Sequence, residues 1–154
     1  MLAGEFNMVD GLTSERRSEN MRRIQSKNMK PEIAVRRLVH ALGFRFRLHR
    51  RDLPGKPDLV LPRHKKIVFV HGCFWHSHGD PNCVDGRRQP KSNLDYWRPK
   101  LARNKERDFT NILALQELGW DTAIVWECEL RRPDVLALRL RRFIDPDREF
   151  RYAA

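Results

Sequence analysis

Three short apolar runs stand out along the chain. D-L-V-L at 58–61, K-I-V-F-V at 66–70 and T-A-I-V-W at 122–126 carry few polar side chains, which is typical of strands buried in the centre of a sheet. The segment F-R-F-R-L-H at 44–49 instead alternates apolar and basic side chains, which predicts a half-exposed strand. The pattern therefore predicts four strands.

Helices account for most of the remaining chain. Pro31 and Gly43 bracket one predicted helix, because proline suits a first helical turn and glycine suits a left-handed C-terminal cap. Pro99 is predicted to open a second helix that ends at Gly119, and residues 133–144 are predicted to form a closing helix.

A polar, basic helix is predicted ahead of these elements, in residues 14–29. Its apolar side chains Met21 and Ile24 are three residues apart on one side, so the segment suits an arm that becomes ordered on a partner. Residues 1–13 lack apolar periodicity and are predicted to be a flexible lead. The order α, α, β, β, β, α, β, α predicts an α/β fold in which helices flank a mixed central sheet, within one domain over 14–154.

Charge and composition narrow the class of partner. The 154 residues suit about one domain, and 31 Lys and Arg against 20 Asp and Glu give a net charge of +11. Such a field attracts polyanions, and nucleic acid is favoured over a membrane because no lipid anchor or strongly apolar amphipathic helix accompanies the charge. The odd number of cysteines and the lack of a signal peptide or long apolar stretch indicate a reducing cytoplasm.

Three cysteines and one histidine have the chemistry of a zinc site. Cys73, His78 and Cys83 follow one another at intervals of five residues, and Cys128 ends the segment T-A-I-V-W-E-C. Together they would form a tetrahedral set that leaves no open position for water, so Zn²⁺ there would be structural. The alternative is that Cys128 is a small buried hydrophobe and Cys83 an idle loop thiol.

A second set of residues suits metal-assisted hydrolysis. Asp58 enters a central strand after Pro57, where a carboxylate can hold Mg²⁺ together with phosphate and water oxygens. His71 ends the next strand and His76 follows a G-C-F-W turn, so a neutral imidazole there could take a proton from an attacking water. Each histidine alone has the alternative of a satisfied loop residue or a further zinc ligand.

Two acids lie on helix faces that are otherwise apolar. Asp108 is seven residues from Leu101 and four from Ile112, so it points with the apolar stripe and needs a histidine, arginine or metal partner. Glu32 lies seven residues before Val39, also toward the core, although an acid in a first turn has the alternative role of favouring the helix dipole.

Large aromatic side chains occur beside the candidate catalytic residues. Phe74 and Trp75 lie in a loop rich in Gly and His, and Trp97 lies in a basic segment, so these rings could insert between base pairs and unstack them, most readily at a mispair. The alternative for Phe74 and Trp75 is a core role at the sheet edge. Trp120 and Trp126 are predicted to be core residues.

Long strings of residues resemble one enzyme family. The strings S-E-N-M-R-R-I, L-P-G-K-P-D, V-H-G-C-F-W-H-S-H, N-K-E-R-D and L-G-W-D-T-A-I-V-W-E-C occur in that order between Ser18 and about Leu130. They resemble the very-short-patch repair endonucleases, the bacterial DNA mismatch endonuclease family Vsr. The resemblance implies a restriction-endonuclease-like core and nicking beside the T of a T:G mispair left by deamination of 5-methylcytosine.

The resemblance also implies roles for the residues above. The catalytic set would be Asp58, His76, His71, Asp108 and Glu32. Asp58 would hold Mg²⁺ together with the backbone carbonyl of Val70, and His76 would be the general base. The structural zinc ligands would be Cys73, His78, Cys83 and Cys128. The DNA contacts would be the intercalating Phe74, Trp75 and Trp97, with Met21 and Ile24 in an arm that enters the minor groove.

The chain departs from the family pattern in three places. Val70 stands where a threonine occurs, and G-D-P-N gives a longer spacer between His78 and Cys83. F-V-H replaces the acid-x-Lys pattern of the wider restriction-like group, so histidine would supply the proton chemistry. Only the carbonyl of Val70 is needed for the metal, so the first departure matters little.

We therefore expect a Mg²⁺-dependent enzyme, braced by Zn²⁺, that nicks one strand of double-stranded DNA at a T:G mispair. We expect a monomer in the bacterial cytoplasm, associated with the nucleoid when it acts, with other mismatch-repair proteins as further partners. Two alternatives stay open: a non-catalytic, zinc-stabilised DNA-binding module, and a restriction-type nuclease that cuts both strands.

Overall fold

The computed structural model describes residues 29–148 together with residues 13, 15, 16, 18 and 19. Its helices are α1 (Lys30–Ala41), α2 (Cys73–His76), α3 (Val84–Arg87), α4 (Leu94–Glu117) and α5 (Pro133–Ile144), and a 3-10 helix spans Glu127–Arg131. Its strands are β1 (Leu59–Leu61), β2 (Lys66–His71) and β3 (Asp121–Trp126). Met21, Ile24 and residues 1–12 of the predicted lead lie outside the described residues.

The three strands form a mixed sheet in the order β1-β2-β3. β1 and β2 are antiparallel, whereas β2 and β3 are parallel, and a parallel pair requires a long crossover. That crossover contains α2, α3 and α4. The register pairs His71 with Trp126 at the carboxyl edge of the sheet, and α2 begins two residues after His71. The candidate catalytic and zinc-binding residues are thus brought to one edge.

Helices cover both faces of the sheet, because successive strand side chains point to opposite sides and both sides are apolar. One core packs α1 and α5 on the sheet through Val35, Val39, Leu59, Leu61, Val68, Val125, Leu136 and Leu140. The other packs the end of α4 on the opposite face through Val60, Ile67, Phe69, Leu115 and Trp120. Among the described residues, none of the helices has both the length and the apolar character of a membrane span.

The predicted strand at 44–49 is wrong. The segment keeps its alternation of inward and outward side chains, but only Arg47 pairs, in an isolated bridge to Val60. The Arg47 N–H donates to the Val60 carbonyl at 2.7 Å, and the Val60 N–H donates back at 3.0 Å. The apolar and basic alternation reports half-burial correctly, but it does not report how many backbone hydrogen bonds a segment makes to its neighbour.

The predicted start of the long helix at Pro99 is also wrong, because α4 begins at Leu94. Pro99 lies inside the helix, where it lacks the N–H that would bond the carbonyl of Asp95 four residues earlier. One missing bond near a helix start is tolerated. The earlier start places Trp97 on a helix rather than in a loop, and it gives α4 a face toward α2.

Candidate active site and metal centre

Asp58 lies at the edge of the sheet, one residue before β1. Its Oδ2 accepts a hydrogen bond from the Val70 N–H at 2.7 Å. The N–H and C=O of one residue in an extended strand face the same neighbour, so the Val70 carbonyl is directed to the side where Asp58 lies. Burial raises the pKa of Asp58 to about 6, against the opposing effect of the Val70 N–H, and the charge of Glu32 raises it further.

A tight turn delivers Asp58 to this position. Gly55 has a φ of +76°, and a Cβ there would lie 3.0 Å from the Cβ of Asn111 on α4, so conformation and space both favour glycine. Lys56 follows with a φ of +48°, a left-handed conformation that costs a residue with a side chain about 1–2 kcal/mol. The turn is thereby held against α4, and Lys56 and Asp58 line the same cavity.

His76 and Asp108 form a close pair across α2 and α4. The Nδ1 of His76 lies 2.5 Å from the Oδ2 of Asp108. The partner that the position of Asp108 requires is therefore His76. The carboxylate orients the ring and leaves Nε2 as the nitrogen that can accept a proton. Asn104, one turn earlier on α4, fixes α2 by donating from Nδ2 to the Trp75 carbonyl at 3.2 Å.

His71 lies beneath this pair. Its residue is 6% exposed, and its ring stacks on that of His76 with centroids 3.8 Å apart and planes inclined by 12°. Burial, and secondarily the charge of His76, lower the pKa of His71 to about 4, so His71 is neutral near pH 7. Its Nδ1 is buried and has no hydrogen-bond partner among the described residues.

One cavity of about 830 Å³ joins these groups. Asp58, His71, His76, Asp108 and Glu32 all line it. Glu32 is buried, as its helical position predicts, and its Oε2 accepts a hydrogen bond from the Arg36 Nη2 at 3.2 Å. All five residues named as catalytic from the sequence therefore meet in one space large enough for a phosphodiester.

Basic residues around this cavity were missed in the sequence. The cations that line it are Arg36, Arg50, Arg51, Lys56 and Arg107, together with His49. The signal that could have found three of them is the turn R-R-D-L-P-G-K-P, which is basic and leads directly into Asp58. Cations that surround a carboxylate and a histidine suit the binding of a phosphate group.

Cys73, His78, Cys83 and Cys128 form a second cluster, which includes the first residue of α2. One ligand atom from each lies within 4.8 Å of all the others. The Sγ of Cys128 is 3.7 Å from the Nε2 of His78, close to the separation of about 3.5 Å that a tetrahedral zinc centre gives a sulfur and a nitrogen ligand. The idle-thiol alternative for Cys83 does not fit, because its side chain is buried in this cluster.

The thiols of this cluster need a cation to be ionised together. Burial raises the pKa of Cys73 to about 12, and burial also raises the pKa of Cys128. For Cys83 the upward effect of burial is outweighed, chiefly by the N–H of Gly86, and its pKa is lowered. Gly86 donates to the Cys83 Sγ at 3.2 Å, and a Cβ at Gly86 would lie 2.7 Å from the His78 ring, so only glycine fits.

Three aromatic rings on α2 and α4 contact one another and form a patch. Phe74 and Trp75 lie on α2 and Trp97 lies on α4, with each pair of ring centroids between 5.3 and 5.8 Å apart. All three are half-buried rather than core residues. The ammonium of Lys100 lies 5.4 Å from the centre of the Trp97 ring and 5.8 Å from that of Trp75. The loop predicted for these rings is thus replaced by two helices that hold them together.

Trp126 connects the two clusters, although the sequence predicts only a core role for it. Its ring stacks on zinc-candidate His78 with centroids 4.4 Å apart, and its edge meets His71 at 5.3 Å. Trp120 is buried, as predicted. The rings of His78, Trp126, His71 and His76 contact one another in that order. The arrangement of the cysteine cluster therefore depends on the arrangement of the catalytic candidates.

The fold defines an α/β domain of the restriction-endonuclease-like class. A solved structure, the catalytic domain of the homing endonuclease I-Bth0305I, has a similar fold with a TM-score of 0.50 over 75% of this chain and 94% of that one. The two share 15% sequence identity, so the similarity concerns the fold alone. The predicted fold class is confirmed.

Residues 9–82 match the family model described as DNA mismatch endonuclease Vsr. The type II nicking enzyme V.XorIIP of Xanthomonas oryzae pv. oryzae is 52% identical over 90% of this chain and 99% of its own. DNA mismatch endonuclease Vsr of Escherichia coli K12 is 40% identical over 80% of this chain and 77% of its own. The chain belongs to the Vsr family of DNA mismatch endonucleases, and the predicted family and nuclease class are confirmed.

Proposed function

We propose that this protein is a Mg²⁺-dependent endonuclease that nicks one DNA strand beside the T of a T:G mispair and so starts very-short-patch repair. The observation that carries the proposal is the meeting of Asp58 with the His76–Asp108 pair in one basic cavity. Relatives named as a mismatch endonuclease and as nicking enzymes support the reaction class. We propose that the enzyme acts as a monomer, since nicking one strand needs one active site.

Asp58 and the Val70 carbonyl suit the Mg²⁺ of this reaction. Both offer hard oxygen atoms, which Mg²⁺ prefers, on one side of the end of β2. The raised pKa of Asp58 reflects a buried carboxylate beside the negative charge of Glu32, a setting that a bound cation would relieve. When bound, Mg²⁺ would polarise the scissile phosphate and offset its developing charge.

His76 is the proposed general base. Its Nδ1 faces Asp108, so its Nε2 is free to take the proton of the water that attacks phosphorus. Asp108 orients the ring and stabilises the imidazolium that forms, while neutral His71 supports the other face of the ring. The cations of the cavity would hold the phosphates of the strand on either side, and Glu32 keeps Arg36 in place.

The proposed role of Zn²⁺ is structural. Cys73, His78, Cys83 and Cys128 provide four protein ligands, so a tetrahedral ion would have no open position for water. The cluster ties α2 and the residues before α3 to the 3-10 helix after β3. Because His76 lies only three residues after Cys73, the ion would also fix the position of the base.

Phe74, Trp75 and Trp97 are the proposed wedge for the mispair. Their mutual contacts give one apolar surface next to His76, and Lys100 adds a charge for the adjacent phosphate. Unstacking is least unfavourable at a mispair, which gives the wedge a reason to prefer mismatched sites. We propose that Met21 and Ile24, in the predicted arm, contact the minor groove.

One assay tests the proposed function. Matched and T:G-containing duplexes with separately labelled strands are incubated with and without Mg²⁺, and products are resolved under denaturing conditions. We expect a single nick in the T strand of the mismatched duplex when Mg²⁺ is present. His76→Ala should abolish nicking while T:G binding persists, and His40→Ala, which changes an exposed histidine outside the cavity, should behave as wild type.

Other outcomes would select the alternatives. Binding of the mismatched duplex without any cleavage would favour a non-catalytic DNA-binding module. Cleavage of both strands of a matched duplex would favour a restriction-type nuclease. Full turnover by His76→Ala would remove the proposed base, even if nicking itself is confirmed.

A further inference from the structure

His71, His76 and Asp108 form a potential ligand set of their own, separate from Asp58 and from the cysteine cluster. One ligand atom from each of the three residues lies within 4.8 Å of the other two. A metal ion bonded at about 2.1 Å would hold such atoms about 3.0 to 3.5 Å apart and would lie near the plane of each imidazole, so the stacked rings of His71 and His76 must tilt apart to close the set. The Nδ1 of His71 is buried without a hydrogen-bond partner among the described residues, and this favours a ligand at the nitrogen.

We propose that His71, His76 and Asp108 bind a late first-row transition-metal ion such as Zn²⁺, Ni²⁺ or Co²⁺, and that this ion inhibits nicking. Two imidazoles with one carboxylate suit these ions, whereas Mg²⁺ prefers oxygen ligands and favours Asp58 and the Val70 carbonyl. The two kinds of ion would therefore occupy different parts of one cavity.

The inhibition follows from how His76 is held. In the described geometry, Nδ1 of His76 and Oδ2 of Asp108 are bonded to each other, which leaves the ring oriented and basic. An ion bound between these atoms would displace the proton that Nδ1 of His76 donates to Asp108, which would abolish the hydrogen bond that orients the ring, and it would place a positive charge beside the proposed base. This inhibitory effect rests on the proposed function, but binding of the ion does not.

Binding is tested with Co²⁺ on protein that already carries its structural zinc. Equilibrium dialysis of the wild type should show one Co²⁺ per chain, with a ligand-field spectrum that lacks a thiolate charge-transfer band. His76→Ala should abolish this binding, and Asp108→Asn, which keeps the size of the side chain, should weaken it roughly tenfold or more. His49→Ala alters a histidine that lines the same cavity but lies outside the set, so it should bind Co²⁺ as wild type does.

Equal binding of Co²⁺ by wild type and His76→Ala would overturn the proposal. A Co²⁺ spectrum with thiolate bands only would also overturn it, since that would place the ion among the cysteines.

Inhibition is tested by nicking at fixed Mg²⁺, where saturating Co²⁺ should lower the rate roughly tenfold or more. Extra Mg²⁺ should not restore it. Relief in proportion to added Mg²⁺ would place the ion at Asp58 and overturn the proposal.

If the protein never nicks any duplex, the proposed function is wrong. The dialysis experiment would still show whether His71, His76 and Asp108 bind the ion.

Discussion

His71 and His76 stack face to face, with ring centroids 3.8 Å apart and planes inclined by 12°. Two positive charges at this separation would repel each other strongly, and burial already disfavours a charge on His71. Burial first and the charge of His76 second lower the pKa of His71 to about 4. His71 therefore supports the proposed base as a neutral ring.

Replacement of His71 should change how stability depends on pH. The folded pKa of about 4 lies below the unfolded value of 6.5, so the unfolded chain binds the proton first as pH falls. Neutral His71 makes its full contribution to the free energy of unfolding above pH 6.5. As pH falls toward 4 this contribution is lost, and the loss is at most about 3 kcal/mol. Urea unfolding of His71→Asn should lack this loss. A slope in this window as steep as that of wild type would contradict the neutral assignment.

Asp58→Asn should have the opposite effect on the pH profile and should stabilise the fold. The folded pKa of about 6 lies above the unfolded value of 3.8, so the favourable contribution of protonated Asp58 is complete below pH 3.8 and lost as pH rises through about 6. Asparagine avoids burying that charge, and near pH 7 we expect a gain of about 1–3 kcal/mol in urea unfolding without Mg²⁺. Loss of stability near pH 7 would contradict this assignment.

Gly86→Ala should weaken zinc binding. A Cβ at Gly86 would lie 2.7 Å from the His78 ring, so the ring must move away from the three thiols. We expect the zinc affinity to fall roughly tenfold or more, measured by competition with a chromogenic chelator. Gly79→Ala is the matched control, because a Cβ there meets nothing within 4 Å. Equal zinc retention by both variants would show that His78 is not a ligand.

Asp108→Asn should slow nicking without weakening DNA binding. The amide cannot stabilise the imidazolium that forms when His76 takes a proton, and it can favour the wrong tautomer of the ring. We expect kcat to fall by roughly 10²–10⁴ while the dissociation constant for the mismatched duplex stays near the wild-type value. Asp95→Asn, an exposed acid in the first turn of the same helix, serves as control. A kcat within twofold of wild type would remove Asp108 from the mechanism.

Local pattern predicted the elements whose signals lie within a few residues. The runs at 58–61, 66–70 and 122–126 became β1, β2 and β3 because each is apolar on both faces. The segment at 44–49 was wrong as a strand because a strand needs backbone hydrogen bonds to a neighbour along its length, and alternation reports only which side chains are buried. Pro99 misled because a proline signals a helix start only when the residues before it are not helical.

The candidate site was predictable in its members but not in its contacts. The position of Asp108 on an apolar face showed that it needs a partner. That this partner is His76, 32 residues earlier in the chain, depends on how α2 and α4 pack. The role of Trp126 between His78 and His71 had no signal at all in the sequence, since a tryptophan in a strand most often packs in a core.

Lys56 provides a test of the basic cavity that does not disturb the proposed base or metal ligand. Its φ of +48° is unfavourable for lysine, and the side chain lines the cavity two residues before Asp58. Lys56→Gly removes the charge but suits the backbone, so the turn should fold as well as wild type or better, by about 1 kcal/mol. Although its fold is kept, Lys56→Gly should bind DNA more weakly than the wild type does.

Loss of the Lys56 charge should change the salt dependence of DNA binding. If Lys56 contacts one phosphate, its removal releases about one counterion fewer, and the slope of log affinity against log salt should become shallower by about one unit for matched and mismatched duplexes alike. Lys56→Arg keeps the charge and should keep the slope. An unchanged slope in Lys56→Gly, with the fold intact by unfolding measurements, would mean that the strand passes outside this side of the cavity. The phosphates would then have to contact the other cations of the cavity, which are Arg36, Arg50, Arg51 and Arg107.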